Sequence, residues 1–202
     1  MAYSLSRRGY GILKTADNIA TITALRRDLT VKPISFMGDE ASVGEFPVYC
    51  ESEEKFYMPR VYGLTRFGLP PEDAISLKPG SLFTESVNGF AGQLRPQQEE
   101  AVKAYLEAAN DPLKRGGVLC LQCGGGKTVI ALWLIAHFKR KTIIVVHKEF
   151  LMEQWRERIE AFLPGLKVGI LKATKAEFGA DILIASIQSL SMKIYDEKLF
   201  KP

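Results

Sequence analysis

Residues 121–128 read Leu121-Gln122-Cys123-Gly124-Gly125-Gly126-Lys127-Thr128, and this stretch decides the fold of the chain. It follows a short apolar run at 117–121, which predicts a strand, and it precedes 128–138, which is apolar nearly all round and predicts a buried helix. Consecutive glycines let the backbone curl so that N–H groups point inward, and a helix N-terminus adds partial positive charge. The stretch therefore predicts a P-loop, an anion-binding nest for nucleotide phosphates.

The side chains of the loop fit the same chemistry. We expect Lys127 to reach the β and γ phosphates of ATP as a point charge, and the Thr128 hydroxyl to take one position on Mg²⁺. These two are the predicted catalytic residues, and Thr128 is the predicted metal ligand. The predicted nucleotide-binding residues of the loop are Gln122, Cys123, Gly124, Gly125, Gly126, Lys127 and Thr128. A glycine turn with a surface lysine is the alternative, and the strand before and buried helix after disfavour it.

Beyond residue 90 the helix and strand signals alternate, as they do in a parallel α/β sheet. Pro96 is suited to begin a helix that continues over 97–109, and a further helix is predicted over 149–162. The β-branched run 142–146 is typical of a buried parallel strand, and further strands are predicted over 168–171 and 182–186.

The first 90 residues show a different sequence pattern, in which Gly, Pro and Ser separate short apolar and aromatic runs. This indicates strands and turns rather than long helices. Residues 46–50 and 55–61 predict a hairpin, whose second arm we place at a sheet edge because Pro59 interrupts it. We therefore predict a smaller β-rich α+β domain over 1–90, with a linker around 78–92, followed by an α/β domain over 91–202.

Composition narrows the class of protein. The 202 residues are 47% hydrophobic, contain no run of 18 apolar residues and begin without a secretory signal, so we expect no membrane partner and a reducing, intracellular location. Cys120 and Cys123 are too isolated to favour a zinc site and are expected to be small buried residues. The net charge of +4 comes from residues 91–202, which suits a polyanionic partner, although a solvated basic surface is the commoner explanation.

Several segments resemble superfamily 2 helicases. Leu121 stands where the general P-loop pattern has glycine, and these helicases often carry an apolar or small residue there. The segment 94–98 resembles their adenine-reading motif, which implies that Gln98 reads the adenine edge and that Arg95 lies near the base. A side-chain amide offers both the donor and the acceptor that adenine requires. A polar helix start is the alternative interpretation of this segment.

Two later segments resemble the nucleic-acid motifs of the same superfamily. The segment 145–155 looks like the motif after the second strand, which implies that His147 and Lys148 contact the nucleic-acid backbone. The segment 184–190 resembles the Ser/Thr-x-Gln motif, which implies the same role for Ser186 and Gln188. Each could instead be an ordinary strand end or helix cap.

The nearest resemblance is to the xeroderma pigmentosum group B-like branch and to helicases of large DNA viruses, including the poxvirus transcript-release type. It implies a partial RecA-like parallel sheet with flanking helices, and an N-terminal fragment of an ATP-dependent DNA helicase or translocase. The implied partners are DNA, or RNA, a missing second RecA-like domain, and the transcription or repair machinery. The implied location is the cytoplasm or nucleus of a host, or a virion.

Residues 196–199, Asp-Glu-Lys-Leu, do not fit the acidic motif with which these helicases hydrolyse ATP, and a solvated charge cluster is the favoured interpretation. We therefore expect a truncated helicase that binds nucleotide without efficient hydrolysis. The alternatives are a complete, non-hydrolysing nucleotide- or nucleic-acid-binding protein, which the tail 198–202 disfavours, and a P-loop phosphotransferase, for which no lid is recognisable.

The N-terminal domain carries a possible second surface for nucleic acid. Aromatic rings stack on bases and arginines pair with phosphates, and the candidate residues are Tyr49, Tyr57, Tyr62, Arg60 and Arg66. Packing of these side chains within a small β domain is the favoured interpretation.

Overall fold

The computed structural model describes residues 2–32, 44–77, 79–84, 89–112, 114–196 and 199. The chain divides into two units, Met1–Lys78 and Pro79–Pro202. The predicted boundary at residue 90 lies later than this division. Phe83 and Phe90 of the expected linker pack against the core of the second unit. Residues 78 and 85–88 of that linker lie outside the described residues, as do Glu197, Lys198 and the tail 200–202.

A four-stranded antiparallel sheet with the strand order β1-β2-β6-β5 forms the first unit. The elements of this unit are β1 Tyr3–Ser6, β2 Gly9–Leu13, α1 Ile19–Asp28, β3 Thr30–Val31, β4 Phe46–Pro47, β5 Cys50–Glu51, β6 Lys55–Met58 and α2 Arg60–Phe67. Alternate strand residues point to the same face, where they meet helix α1. The core so formed contains Leu5, Tyr10, Ile12, Ile22, Leu25, Leu29, Phe56 and Met58.

The expected hairpin is present in shortened form. Strand β5 pairs with β6, whereas Phe46 and Pro47 pair with β3 instead. The prediction that the second arm lies at a sheet edge is wrong, because β6 lies between β2 and β5. Pro59 does not interrupt the strand but follows its last residue. Its φ of −52° suits the start of helix α2, where a missing N–H costs nothing.

In the second unit, strands β7, β10 and β8 are parallel neighbours, and β9 joins β8 in the antiparallel direction. The elements are α3 Pro96–Asn110, α4 Lys127–Phe138, β7 Thr142–Val146, α5 Glu149–Phe162, β8 Val168–Lys172, β9 Lys175–Ala176, β10 Ile182–Ser186 and α6 Ile187–Met192. The expected helices and the last three expected strands are therefore present. Among the described residues, no helix combines the length and apolar composition needed to cross a membrane.

Helices α4 and α5 cover one face of this sheet. The core between them contains Leu132, Ile135, Ile144, Val146, Met152, Ile159, Ile182 and Ile184. Strand β7 is buried on this face alone, since Ile143 and Val145 on the other face are 45% and 49% exposed. The expected strand is present and parallel, but it is buried on one face only.

The strand expected over 117–121 is not formed. Leu119 and Leu121 pack instead against Val102 of α3 and against Ile130 and Leu134 of α4. A strand requires a hydrogen-bonded neighbour, and the described strands of this unit pair among themselves. Cys120 and Cys123, which lie in and after this segment, are exposed. The prediction that they are small buried residues is therefore wrong.

The side chain of Asp181 links Thr84 and Lys167 to the start of strand β10. The carboxylate is fully buried and accepts hydrogen bonds from Thr84 N at 2.7 Å, Thr84 Oγ1 at 2.8 Å and Lys167 N at 3.3 Å. Burial raises the pKa of this carboxyl, but the hydrogen bonds from Thr84 and Lys167 lower it more, so it lies below its usual value. Asp181 thus holds two loops against the start of β10.

We predict that Asp181→Asn lowers the free energy of unfolding by about 1.5–3 kcal/mol at neutral pH, because the amide keeps one acceptor oxygen but loses the negative charge and the second acceptor. A depressed pKa stabilises the fold above the pKa of the unfolded chain, and this stabilisation is lost as pH falls through the folded pKa. The difference between the variant and the wild type therefore shrinks in acid. Urea unfolding at several pH values tests this, with Glu157→Gln on the exposed side of α5 as control. Equal stabilities at neutral pH would contradict it.

Candidate functional site

The glycine loop between residues 121 and 127 adopts a conformation that requires its glycines. Gly124 and Gly126 have φ values of +76° and +81°, a region that side chains rarely adopt. Gly125 N donates to the Gln122 carbonyl at 3.1 Å, which closes a turn. Gly126 then caps helix α4, so the first N–H groups of that helix point toward the loop. The loop is therefore an anion-binding geometry at a helix N-terminus.

Lys127 lies across this loop. Its Nζ donates to the carbonyl oxygens of Leu121 at 2.9 Å and Gln122 at 3.1 Å. Thr128 follows in the first turn of α4 and is half-buried, whereas Gln122 and Cys123 are exposed. Both predicted side chains therefore belong to the first turn of α4, directly after the glycine loop. A phosphate entering the loop would compete with the two carbonyls for the ammonium.

The side chain of Gln98, in helix α3, links the start of that helix to the glycine loop through hydrogen bonds. It is 3% exposed. Its Oε1 accepts from Arg95 N at 2.9 Å, and its Nε2 donates to the Gly125 carbonyl at 3.2 Å. A Cβ on Gly126 would lie 2.1 Å from Gln98 Nε2, so the close approach requires glycine. Arg95 itself is exposed at the start of α3. The pattern of the sequence did not predict this contact between Gln98 and the loop.

The four predicted nucleic-acid residues lie together at the carboxyl edge of the sheet. Val146 and Ser186 are paired across β7 and β10, so the residues that follow these strands become neighbours. Gln188 Nε2 donates to the His147 carbonyl at 3.0 Å. Ser186 caps α6, where its Oγ accepts from Ser189 N at 3.1 Å. His147, Lys148, Ser186 and Gln188 line one cavity of about 470 Å³.

Sequence reasoning missed three charged residues of the same cavity. Lys172 ends β8 and forms an ion pair with Glu149, and Lys193 donates through Nζ to the Ala173 carbonyl. Both lysines and Glu149 line the cavity. No motif marks them, but Lys172 ends a parallel strand, and the ends of such strands gather at one edge. Applying this rule for strand ends to the predicted strand 168–171 would have indicated Lys172.

Asp196 does not form an acidic motif of the expected kind. It is exposed in an irregular segment after α6, and no strand leads into it. Its neighbours Glu197 and Lys198 lie outside the described residues.

The fold and the site together define a mixed α/β domain with a glycine loop at a helix N-terminus. Residues 91–201 match the family described as the res subunit of type III restriction enzymes. The match covers more than half of the chain, so the chain belongs to this helicase family.

Comparison with individual proteins, all of them longer than this chain, adds detail to the family assignment. It is 30% identical over 200 residues to a protein of Acanthamoeba polyphaga mimivirus provisionally named an ATP-dependent RNA helicase, L396, covering 98% of this chain and 38% of the relative. It is 33% identical over 125 residues to the DNA 3′-5′ translocase XPB2 of Sulfurisphaera tokodaii, covering 60% and 26%. It is 27% identical over 198 residues to transcript termination protein A18 of myxoma virus, covering 88% and 39%.

The chain therefore spans less than two fifths of the length of each of these relatives. The resemblance to XPB-like and viral superfamily 2 helicases, inferred from the motifs, is confirmed.

We predict that Gly126→Ala lowers the free energy of unfolding more than Gly165→Ala does. Both glycines have positive φ, but a Cβ on Gly165 has no atom within 4 Å, whereas one on Gly126 collides with Gln98. Each variant incurs backbone strain of about 1 kcal/mol. Only Gly126→Ala also separates Gln98 from the loop, which adds about 1–3 kcal/mol for unpaired polar groups.

Denaturant unfolding measures both effects. The double variant Gly126→Ala/Gln98→Ala is expected to be more stable than the sum of the single changes, because the collision partner has been removed. Equal losses in Gly126→Ala and Gly165→Ala, or strictly additive effects in the double variant, would show that the contact does not hold the loop.

Proposed function

We propose that the second unit is the ATP-binding part of an ATP-dependent helicase or translocase, built as a RecA-like P-loop domain. The observation that carries this proposal is the glycine loop, which turns at two left-handed glycines into the N-terminus of α4. Its attachment to Gln98, in the segment that resembles an adenine motif, adds to it. The helicase and translocase names of the relatives favour the same activity.

In this proposal the loop binds the phosphates of ATP. Backbone N–H groups at a helix N-terminus bind anions, and the ammonium of Lys127 supplies a full positive charge beside them. Lys127 already lies within hydrogen-bond distance of the Leu121 and Gln122 carbonyls. Phosphate oxygens would replace those carbonyls as its partners, so that only a short movement of the side chain is required.

Mg²⁺ would be held by Thr128 together with the nucleotide. Among the described residues, no group of three His, Cys, Asp or Glu side chains is placed to hold a metal ion. Mg²⁺ commonly keeps several waters and takes the rest of its ligands from phosphates and one or two protein oxygens. The Thr128 hydroxyl fits such a site, in which the ion neutralises phosphate charge.

Gln98 and Arg95 are the proposed contacts of the adenine base. One lone pair of Gln98 Oε1 and one N–H of Nε2 are used within the protein. A carboxamide has a second lone pair and a second N–H, which is the combination that an adenine edge requires. Because the same amide supports the Gly125 carbonyl, base binding and loop geometry would be coupled through one side chain.

The cavity at the carboxyl edge of the sheet is the proposed contact for a nucleic-acid backbone. His147, Lys148, Ser186 and Gln188 meet there with two further lysines, Lys172 and Lys193. Lysines and a helix N-terminus are suited to phosphate. The relatives are named for DNA translocation, RNA helicase activity and transcript termination. We propose DNA as the track, with RNA as the second possibility, and a role in transcription or repair in a host cell or a virion.

The whole protein would couple ATP hydrolysis to movement along nucleic acid. Such hydrolysis requires a carboxylate that binds Mg²⁺ and positions water, with arginines that stabilise the developing charge. Asp196 is poorly placed for this role, because it is exposed and follows no strand. We therefore propose that the present chain binds ATP without efficient turnover.

Titration with a fluorescent ATP analogue and Mg²⁺ tests the proposal. We predict at least tenfold weaker binding in Lys127→Ala, because the charge on the phosphates is lost, and weaker binding in Gln98→Ala. Lys139→Ala, an exposed lysine at the other end of α4, should bind as the wild type does.

Phosphate release is measured in the same samples. Unchanged binding in Lys127→Ala would refute the phosphate site. Appreciable hydrolysis by the wild type would refute the inactivity of the chain and would direct attention to Asp196.

A further inference from the structure

Two cysteines flank the start of the glycine loop, and both are exposed. Cys120 lies just before the loop and Cys123 lies within it, with Leu121 and Gln122 between them. A Cys-x-x-Cys spacing allows two thiols to join in one disulfide, and exposed thiols are accessible to oxidants. We propose that this pair, which we call the loop dithiol, is an oxidative modification site whose disulfide form does not bind ATP.

A disulfide across this spacing requires a turn that the loop does not have. The Cα atoms of a disulfide lie within about 7 Å of each other, and residues three apart reach that distance only where the chain turns. Residues 120–122 contain no turn or bend. The turn of the loop lies two residues later, where Gly125 N donates to the Gln122 carbonyl at 3.1 Å. Joining Cys120 to Cys123 therefore moves the turn back along the chain and breaks that hydrogen bond.

The two residues between the cysteines hold the loop in its present form. Lys127 Nζ donates to the carbonyl oxygens of Leu121 and Gln122 at 2.9 and 3.1 Å. A Cβ on Gly125 would lie 3.1 Å from the Gln122 carbonyl oxygen and 3.3 Å from Leu121 Cβ, so the glycine packs directly on both residues. A turn centred on Leu121 and Gln122 reverses the chain there and moves these groups away from Lys127 and Gly125. The disulfide thus dismantles the glycine loop.

The backbone around the loop dithiol is not tied into the sheet, so this change stays local. Residues 117–122 form no strand, and Val118 is 95% exposed. Three glycines, Gly124 to Gly126, follow the second cysteine. Glycine adopts left-handed and extended conformations at little steric cost. The loop can therefore exchange one turn for the other without rearrangement of the strands.

A disulfide oxidant of the glutathione disulfide class supplies the chemistry. One protein thiolate attacks a sulfur of the oxidant, forms a mixed disulfide and releases one glutathione thiolate. The second protein thiolate attacks the protein sulfur of the mixed disulfide and releases the second glutathione. The two protein thiols lose two electrons and two protons, and the oxidant takes up both as two glutathione thiols. A reducing dithiol reverses the reaction.

Oxidation and nucleotide binding exclude each other in this proposal. Coupling between two binding events is reciprocal, so a nucleotide that binds only the reduced loop must also protect the thiols from oxidation. The effect on ATP rests on the proposed ATP site. Formation of the disulfide does not, because it depends on the loop alone.

Mass spectrometry of the whole chain, treated with glutathione disulfide and then digested, measures the bond without nucleotide. Trypsin cleaves after Arg115 and Lys127, so the single peptide 116–127 contains both cysteines. We expect this peptide to be lighter than its reduced form by two hydrogens and to carry no adduct. In Cys120→Ser we expect a glutathione adduct on Cys123 instead, because no second thiol is present to release it.

Titration with the fluorescent ATP analogue measures the effect on the loop. We expect the oxidised wild type to bind at least tenfold more weakly than the reduced wild type, and dithiothreitol to restore binding. Cys50→Ser, which removes the exposed cysteine of the first unit, should respond in the same way. Reduced Cys120→Ser should bind as the wild type does. Saturating ATP and Mg²⁺ should slow disulfide formation at least threefold, whereas AMP at the same concentration should not.

Several results would overturn the proposal. A mixed disulfide that persists on Cys123 of the wild type would do so, as would a disulfide that joins two chains. Unchanged ATP binding by a chain whose peptide 116–127 contains the disulfide would also contradict it. If the reduced wild type binds no ATP analogue, the proposed ATP site and the nucleotide effect fail together, whereas the mass of the peptide still establishes or refutes the modification site.

Discussion

The contact between the Gln98 amide and the glycine loop is the constraint on which the second unit depends. Nε2 of Gln98 holds the Gly125 carbonyl, and Gly126 must lack a side chain for the amide to come so close. The loop is thereby held at the N-terminus of α4. The packing of Leu119 and Leu121 on α3 and α4 supports the loop from the other side.

Patterns within the sequence predicted most of the second unit. The helices α3, α4 and α5 follow from apolar periodicity and helix-starting residues, and β7, β8 and β10 follow from β-branched and apolar runs. The expected strand at 117–121 is not formed, and its absence was not predictable in this way, because strand formation depends on a neighbour that lies elsewhere in the chain. For the same reason Pro59 indicated an edge strand, whereas it only ends β6.

The candidate site was predictable where a motif exists and not where only topology brings residues together. The loop residues 122–128 were proposed as nucleotide-binding from their order alone, and Gln98 from its resemblance to an adenine motif, and both assignments stay predictions. The structure adds that Gln98 touches the loop. Lys172 and Lys193 have no motif, and they reach His147 and Ser186 because three strand ends share an edge.

In the proposed function, the triphosphate binds at the loop from Gly124 to Thr128. Hydrogen–deuterium exchange at saturating ATP and Mg²⁺, compared with AMP, measures this directly. We expect slower exchange of the amides in 122–128 with ATP and little change there with AMP, which lacks the β and γ phosphates. Exchange in 122–128 that is unchanged by ATP, or protection by ATP that appears only in other segments, would contradict it.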